Sequence, residues 1–410
     1  MAGRMKARLL GWWIAAAVIA VSSATAAEEP RLNVYNWSDY IAPDTIPKFE
    51  AESGIKVTYD VYDGNEVLEA KLLSGRSGYD VVVPSASPFM ARQIAANVYR
   101  MLDRASLPNW RNLDPHILEL VAAADAGNMH SAPYLWSDTG IGYNEAQLRA
   151  ALGDAAPLDS LALIFDPAIA KKLAPCGISL LDTPQEVFPA ALIYLGLDPK
   201  SRDYGDLDKA FAALEKIRPY IRKFHSSQYI TDLANGDLCV ALGYSGDVVQ
   251  ARNRAREAGN EVVIAFRVPK EGGMMSVDML GVPADARHPE NAMRFIDYLL
   301  RPAVIADITN AVSYPNPNLP ATALVKPEIR NDPAVYPPED VRRRFMSIFR
   351  RRRITSGHAR APGRGLNRAV DGQMLPRMAG HNSTLASPPR KRGSRAAAQH
   401  GAPGFPLSRE

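Results

Sequence analysis

Hydrophobic and polar positions along this chain follow two different periods. Short apolar runs of strand length occur at residues 31–36, at Val81-Val82-Val83 and at Cys239-Val240-Ala241-Leu242. Between them lie stretches such as 207–217 and 291–300, whose apolar residues recur every three or four positions. That spacing puts one apolar stripe along a helix. Asn235-Gly236-Asp237 and Lys270-Glu271-Gly272-Gly273 supply turn chemistry between elements. Strands alternating with amphipathic helices predict an α/β class, and no internal repeat is visible. The central body of about 310 residues is more than one hydrophobic core usually serves, so two lobes are expected.

Both ends of the chain depart from this pattern. Residues 9–21 are apolar, Arg4, Lys6 and Arg8 precede them, and Ala24-Thr25-Ala26 follows. The run is too short to span a bilayer comfortably, and the order of basic, apolar and small residues predicts a cleaved signal peptide over 1–27. No later stretch is long and apolar enough for a membrane span, so a soluble exported protein is expected. Residues 350–410 are rich in Arg, Gly, Pro, Ser and Ala, with scarcely any aromatic residue. Such a segment cannot bury enough surface to offset its ordering entropy and is expected to be a disordered tail.

Charge sharpens the division. The net charge of +4 conceals +14 over residues 342–410 and +3 in the first segment, which leaves −13 on residues 28–341. An acidic body suits neither nucleic acid nor an anionic membrane, and it favours encounter with a cationic ligand. The basic tail lacks the interleaved aromatics of a nucleic-acid binder and is read as carrying no function.

The two cysteines, Cys176 and Cys239, both fall in the exported part. Export favours a single disulfide closing a long loop, with a pair of buried thiols as the alternative; no zinc spacing is present.

Enzyme signatures are missing. Gly243-Tyr244-Ser245-Gly246-Asp247 places its second glycine one position too early for a nucleophile elbow. No phosphate or dinucleotide loop occurs. Of seven histidines, His358, His381 and His400 lie in the tail, and His225 sits in a polar Ser-Ser-Gln context. Neither a cofactor nor a metal is expected, and the chain is read as not an enzyme.

Binding chemistry is better represented. Trp37-Ser38-Asp39-Tyr40 follows the first strand and surrounds a carboxylate with two aromatic rings, the means to hold an organic cation. Taken alone, these four residues serve equally well as core rings and a turn or cap. Asp247 follows the run 240–246, Asp278 sits between Met274-Met275-Ser276-Val277 and Met279-Leu280, and Ser85 follows Val81-Val82-Val83-Pro84. Residues just beyond strand ends face the ligand in α/β sheets. Together with Tyr244 and Tyr314 they predict a cleft for a small amine.

These residues also carry a family resemblance. Tyr35-Asn36-Trp37-Ser38-Asp39-Tyr40-Ile41-Ala42-Pro43, Val82-Val83-Pro84-Ser85 and Thr139-Gly140-Ile141-Gly142-Tyr143-Asn144 are similar to motifs of the periplasmic polyamine-binding proteins of ABC importers. Phe224-His225-Ser226-Ser227-Gln228-Tyr229-Ile230 and Leu233-Ala234-Asn235-Gly236-Asp237 extend the match, with putrescine binders the nearest members. The resemblance runs from about residue 30 to about 349. It implies the type II periplasmic binding fold, two α/β lobes joined by a hinge, with 28–136 and 259–322 in one lobe and 137–258 and 323–349 in the other.

The resemblance further implies that Asp39, Asp247 and Asp278 hold the ammonium ends of a polyamine. Ser38 and Ser85 add hydrogen bonds, Trp37, Tyr40 and Tyr314 wall the methylene chain, and a disulfide joins Cys176 to Cys239. A monomeric periplasmic protein that docks on an ABC permease and its ATPase is the implied role, with a sensory amine-binding subunit as the alternative. Three positions depart from the putrescine pattern: Gln185 stands for a glutamate, Tyr244 for a tryptophan and Ser276 for a phenylalanine. Losing a carboxylate and a ring implies a looser cleft, weaker for putrescine or shifted towards spermidine, cadaverine or agmatine. Family members continue past Tyr336-Pro337-Pro338 with a helix, whereas here the resemblance stops near Phe349. A changed reading frame or a divergent, unused extension would account for the switch, and the missing helix is expected to cost stability.

Overall fold

The computed structural model describes residues 28–338 and Val341. The expected signal peptide and the Arg-rich tail lie outside the described residues.

Among the described residues, nine strands form one mixed sheet. β1 (Arg31–Trp37) lies between β2 (Lys56–Tyr62) and β3 (Val81–Val82), all parallel. The chain then runs through β4 (Ser131–Asn144), β5 (Ile178–Leu180), β6 (Lys223–Phe224) and β7 (Val240–Tyr244). It returns through β8 (Ile264–Arg267) and β9 (Met274–Gly281). β5 pairs in parallel with both β6 and β7, which makes a second parallel unit.

Two long strands join the units. β4 and β9 form an antiparallel ladder from Ser131 opposite Gly281 to Thr139 opposite Met274, with an irregularity between Pro133 and Trp136. β9 extends the first unit through Val82 opposite Gly281, and β4 extends the second by pairing residues 139–143 with β7. β8 pairs with β4 over residues 141–144, so this stretch also lies against the second unit. The resulting order is β2-β1-β3-β9-β4-β7-β5-β6, an α/β fold with two lobes on either side of the β4–β9 crossing.

Local sequence explains the elements. In β1 the buried positions are Leu32, Val34 and Asn36, the period of two of a strand with one face covered. All fourteen residues of β4 are buried, as required of a strand covered on both faces. The helix Tyr204–Ile217 buries Ala210, Leu214 and Ile217 along one stripe, and it starts ahead of the apolar pattern because the Asp203 side chain caps Gly205 and Asp206 N–H. The helix Pro289–Leu299 likewise buries Ala292, Phe295, Ile296 and Leu299. Helix Tyr229–Asn235 ends at Gly236, whose positive φ of 79° suits glycine at that position.

The parallel arrangement has a direct consequence for function. All six parallel strands end on one region: β1 runs into Trp37 and Tyr40, β2 into Asp63, β3 into Ser85, and β7 into Asp247. β5 and β6 lead to Glu186 and to Ser226 and Ser227 at the same place.

Cys176 and Cys239 form a disulfide with Cα atoms 5.4 Å apart. It ties the segment before β5 to the segment before β7, its neighbour in the sheet. Closing a loop with a separation of 63 residues is worth about 4 kcal/mol in the chain-entropy account. Replacing both cysteines by serine should therefore lower the unfolding free energy by about 2–5 kcal/mol, measured by urea denaturation; an unchanged midpoint would refute that role.

Candidate functional site

Where the six strand ends converge, a narrow inner chamber of about 40 Å³ is lined by four acids, Asp63, Glu186, Asp247 and Asp278, and by no Lys, Arg or His. Trp37, Tyr40, Tyr244 and Tyr314 supply aromatic wall, and Ser38, Ser85 and Ser276 supply hydroxyls.

Three of the acids are buried and individually supported. Asp278, on β9, accepts from the Tyr40 hydroxyl at 2.7 Å and from Ser85 Oγ at 2.6 Å. Ser85 is itself fixed by Asn65, which accepts from its backbone N–H and donates to its Oγ, both at 3.0 Å. Asp247, in the first turn of the helix Ser245–Glu257, accepts from Tyr229 and Tyr314 hydroxyls, each at 2.6 Å. Glu186, in the first turn of the helix Pro184–Tyr194, accepts from Thr139 Oγ1 at 2.7 Å.

Two glycines seat the tyrosines. A Cβ on Gly243 would come within 2.5 Å of the Tyr229 ring, and one on Gly246 within 2.3 Å of the Tyr314 ring. The run Gly243-Tyr244-Ser245-Gly246-Asp247 thus carries a carboxylate and leaves room for the two rings that bond it. Tyr40 and Tyr314 meet edge to face with centroids 4.6 Å apart, which links the supports of Asp278 and Asp247. Trp37 is held by its Nε1–H donating to Val83 O at 2.8 Å and by the Tyr62 ring at 4.7 Å.

Burial dominates the electrostatics. It pushes Asp247 and Glu186 up to about 7 and Asp278 up to about 6, against the lowering effect of their hydroxyl donors. The nearby carboxylates of Asp278 and Glu66 raise Glu186 further. Burial also holds the Tyr40, Tyr229 and Tyr314 phenols well above 10, so they remain donors to the carboxylates. Burial thus disfavours the charged form of each of the three carboxyls. A cation pays their cost of ionisation by supplying the missing counter-charge.

Of the residues expected from sequence, Trp37, Ser38, Tyr40 and Ser85 lie in the inner chamber, as do Tyr244, Asp247, Ser276, Asp278 and Tyr314. Asp39 does not. Its φ of 55° turns it outwards, where its carboxylate, 41% exposed, pairs with Arg254 Nη2 at 2.7 Å. Gln185 lines only a larger outer cavity and lies beside Thr183. Its neighbour Glu186 places a carboxylate in the chamber. Sequence reasoning also missed Asp63 and Tyr229. Asp63 follows the rule that located Ser85, since it lies just past β2, whereas Tyr229 opens the helix after β6 and supports Asp247 from there.

Contacts close the cleft on both flanks. Arg254, in the helix that carries Asp247, reaches Asp39 beyond β1. Thr183 Oγ1 donates to Glu66 Oε1 at 2.9 Å, from the segment after β5 to the helix Asn65–Leu73. Among the described residues, no helix is long and apolar enough to cross a membrane, and no group of three or more His, Cys, Asp or Glu could hold a metal ion.

Comparison with known proteins agrees with this architecture. The chain is 53% identical over 325 residues to the putrescine-binding periplasmic protein SpuD of Pseudomonas aeruginosa, covering 79% of this chain and 88% of that one. It is 53% identical over 337 residues to the putrescine-binding periplasmic protein PotF of Escherichia coli, covering 82% and 91%. Among solved structures, a putative spermidine/putrescine ABC transporter protein from Listeria monocytogenes superposes with a TM-score of 0.69 at 30% identity, covering 78% of this chain and 93% of that one. Residues 44–337 match the bacterial extracellular solute-binding protein family, and the chain belongs to it.

Proposed function

We propose that this protein captures a polyamine, putrescine foremost, between its two lobes in the periplasm and delivers it to an ABC importer. The observation that carries the reading is the inner chamber: four acids, no base and a wall of aromatic rings. The names of the relatives that bind putrescine, and of the solved spermidine/putrescine transporter protein, support the ligand class and the permease partner. An exported monomer with its signal peptide removed fits the same role.

The geometry suggests how capture works. One ammonium pairs with Asp278, which belongs to the β9 side, and the other with Asp247 and Glu186 on the second unit. The methylene chain lies against Trp37, Tyr40, Tyr244 and Tyr314. Only an arrangement with both lobes engaged satisfies both ends of the ligand, so the amine selects the closed form. Asp39–Arg254 and Glu66–Thr183 then meet across the cleft. Asp39 thereby serves closure rather than direct ammonium contact.

Asp247→Asn removes a buried counter-charge and should weaken putrescine binding by at least about tenfold in calorimetric titration. Unchanged affinity would remove Asp247 from the site. Gly246→Ala displaces the Tyr314 ring from its seat and should cost roughly tenfold in affinity, with circular dichroism reporting a retained fold; wild-type affinity would sink the seating argument.

The pH dependence follows from the raised carboxylates. A raised folded-state pKa contributes stability that is fully present below the ordinary carboxylate range and is lost as pH rises through about 6–7. The ligand-free protein therefore loses this contribution across that interval, and a bound diammonium restores it. Putrescine affinity should rise by at least about tenfold between pH 5 and pH 8, and the ligand-induced increase in Tm should grow over the same range. A flat affinity profile would contradict the assignment of these carboxylates as ammonium partners.

A further inference from the structure

The run Thr139-Gly140-Ile141-Gly142-Tyr143-Asn144 contributes no residue to the lining of the chamber, yet it touches the supports of two of its acids. It lies in β4 between β7 and β8, with Gly142 opposite Ala241 on one side and Phe266 on the other. Positions three apart on a strand face opposite ways. On one face, Thr139 Oγ1 donates to Glu186 at 2.7 Å. On the other, Gly142 meets the helix Ser245–Glu257, which carries Asp247. One strand thus bears on both buried acids of the second unit.

Gly142 is required for space and not for conformation. Its backbone is not left-handed, so alanine would meet no φ strain there. A Cβ at this position would come within 2.5 Å of Val248 Cγ2, 3.0 Å of Cγ1 and 3.3 Å of Cβ. Val248 is buried, and a valine in a helix has one strongly preferred rotamer, so it cannot turn both methyl groups aside. The helix itself would have to move, by roughly 1 Å, to bring the closest pair back to carbon–carbon contact of about 3.5 Å. Val248 follows Asp247 in the chain, and the same turn is anchored a second time where Asp138 N–H donates to Ser245 Oγ at 3.3 Å. Asp247 therefore sits between two points of attachment to β4. Its hydrogen bonds from Tyr229 and Tyr314, each 2.6 Å long, do not survive a separation of roughly 1 Å more.

We propose that Gly142 is a positioning residue for amine binding: by admitting Val248 against the β4 backbone, it sets the depth at which Asp247 enters the chamber. Gly142 touches no ligand and acts through Asp247. The inference rests on the polyamine reading above and adds to it a residue outside the chamber that fixes one of its charges.

The test is a pair of double-mutant cycles read by calorimetric titration with putrescine. Gly142→Ala should weaken binding by about tenfold, with an unchanged far-ultraviolet circular dichroism spectrum. In an Asp247→Asn background the same change should cost less than about twofold, because the group it displaces no longer carries a charge. Val248→Ala removes the two methyl groups that collide with the new Cβ, so Gly142→Ala/Val248→Ala should bind within about threefold of Val248→Ala alone. Additive losses from Gly142→Ala and Asp247→Asn, or no recovery in the protein that also carries Val248→Ala, would overturn the role of Gly142 and leave the polyamine reading standing. Should Gly142→Ala fail to fold, Val248→Ala, which loosens the same contact from the helix side, takes its place in the cycle with Asp247. A loss of about threefold that disappears in the Asp247→Asn background then supports the proposal, and an equal loss in both backgrounds, or none, overturns it. Failure of the unaltered protein to bind putrescine, spermidine, cadaverine and agmatine alike would overturn the polyamine reading and the role of Gly142 with it.

Discussion

Three carboxylates buried in one chamber without a base govern the rest of this structure. Asp247, Asp278 and Glu186 are each removed from water, and burial is the first cause of their raised pKa values. Burying an isolated carboxylate is expensive, and the usual remedies are a cationic partner or loss of the charge. Here the fold supplies neutral hydroxyl donors instead: Tyr229 and Tyr314, Tyr40 and Ser85, and Thr139. Those donors fix the oxygens in place, and no Lys, Arg or His lines the chamber beside them. Under the proposed function, a small diammonium would supply the counter-charge that this lining lacks.

The need to support those carboxylates explains features that would otherwise look unrelated. Gly243 and Gly246 lack side chains where the rings of Tyr229 and Tyr314 pass. Asn65 brackets Ser85 with two hydrogen bonds, so that a hydroxyl on a loop points as reliably as one on a strand. The β4–β9 ladder carries Asp278 and Ser276 on one strand and Ser137 and Thr139 on the other. The crossing that joins the two parallel units therefore also floors the chamber. Any relative movement of the units passes through the strands that hold part of the site, which couples occupancy to closure.

How much of this was legible in the sequence depended on locality. Asp247, Asp278 and Ser85 could be located because each lies just past or within a short apolar run, and strand ends face the ligand in such sheets. Helix 204–217 was legible from its stripe, and its start was misplaced only because capping by Asp203 adds a turn before the apolar residues. Asp39 and Tyr40 show the limit. Adjacent in sequence, they point to different places because a positive φ at Asp39 sends one carboxylate to Arg254 and leaves the Tyr40 hydroxyl on Asp278. Gln185 and Glu186 differ in the same way, since one residue in a helix rotates a side chain by about 100°. Tyr229 lies 18 positions from the Asp247 it supports, and pattern alone does not reveal a pairing across that distance. β4 was equally hidden, because a strand buried on both faces shows no alternation to read.

The two flanking contacts differ in what they can contribute. Asp39 and Arg254 are both more than a third exposed, and an exposed pair of this kind is worth about 0–1 kcal/mol. Such a pair cannot hold the lobes shut by itself. Glu66 and Thr183 form a less exposed hydrogen bond, yet burial raises the Glu66 carboxyl, so this contact also carries a desolvation cost. Neither flank therefore outweighs the buried carboxylates, and under the proposed function the closed arrangement would draw its decisive stabilisation from a cation between Asp278 and Asp247. Under that proposal, weak flanking contacts would let the empty form open, and the strong central interaction would exist only with ligand present.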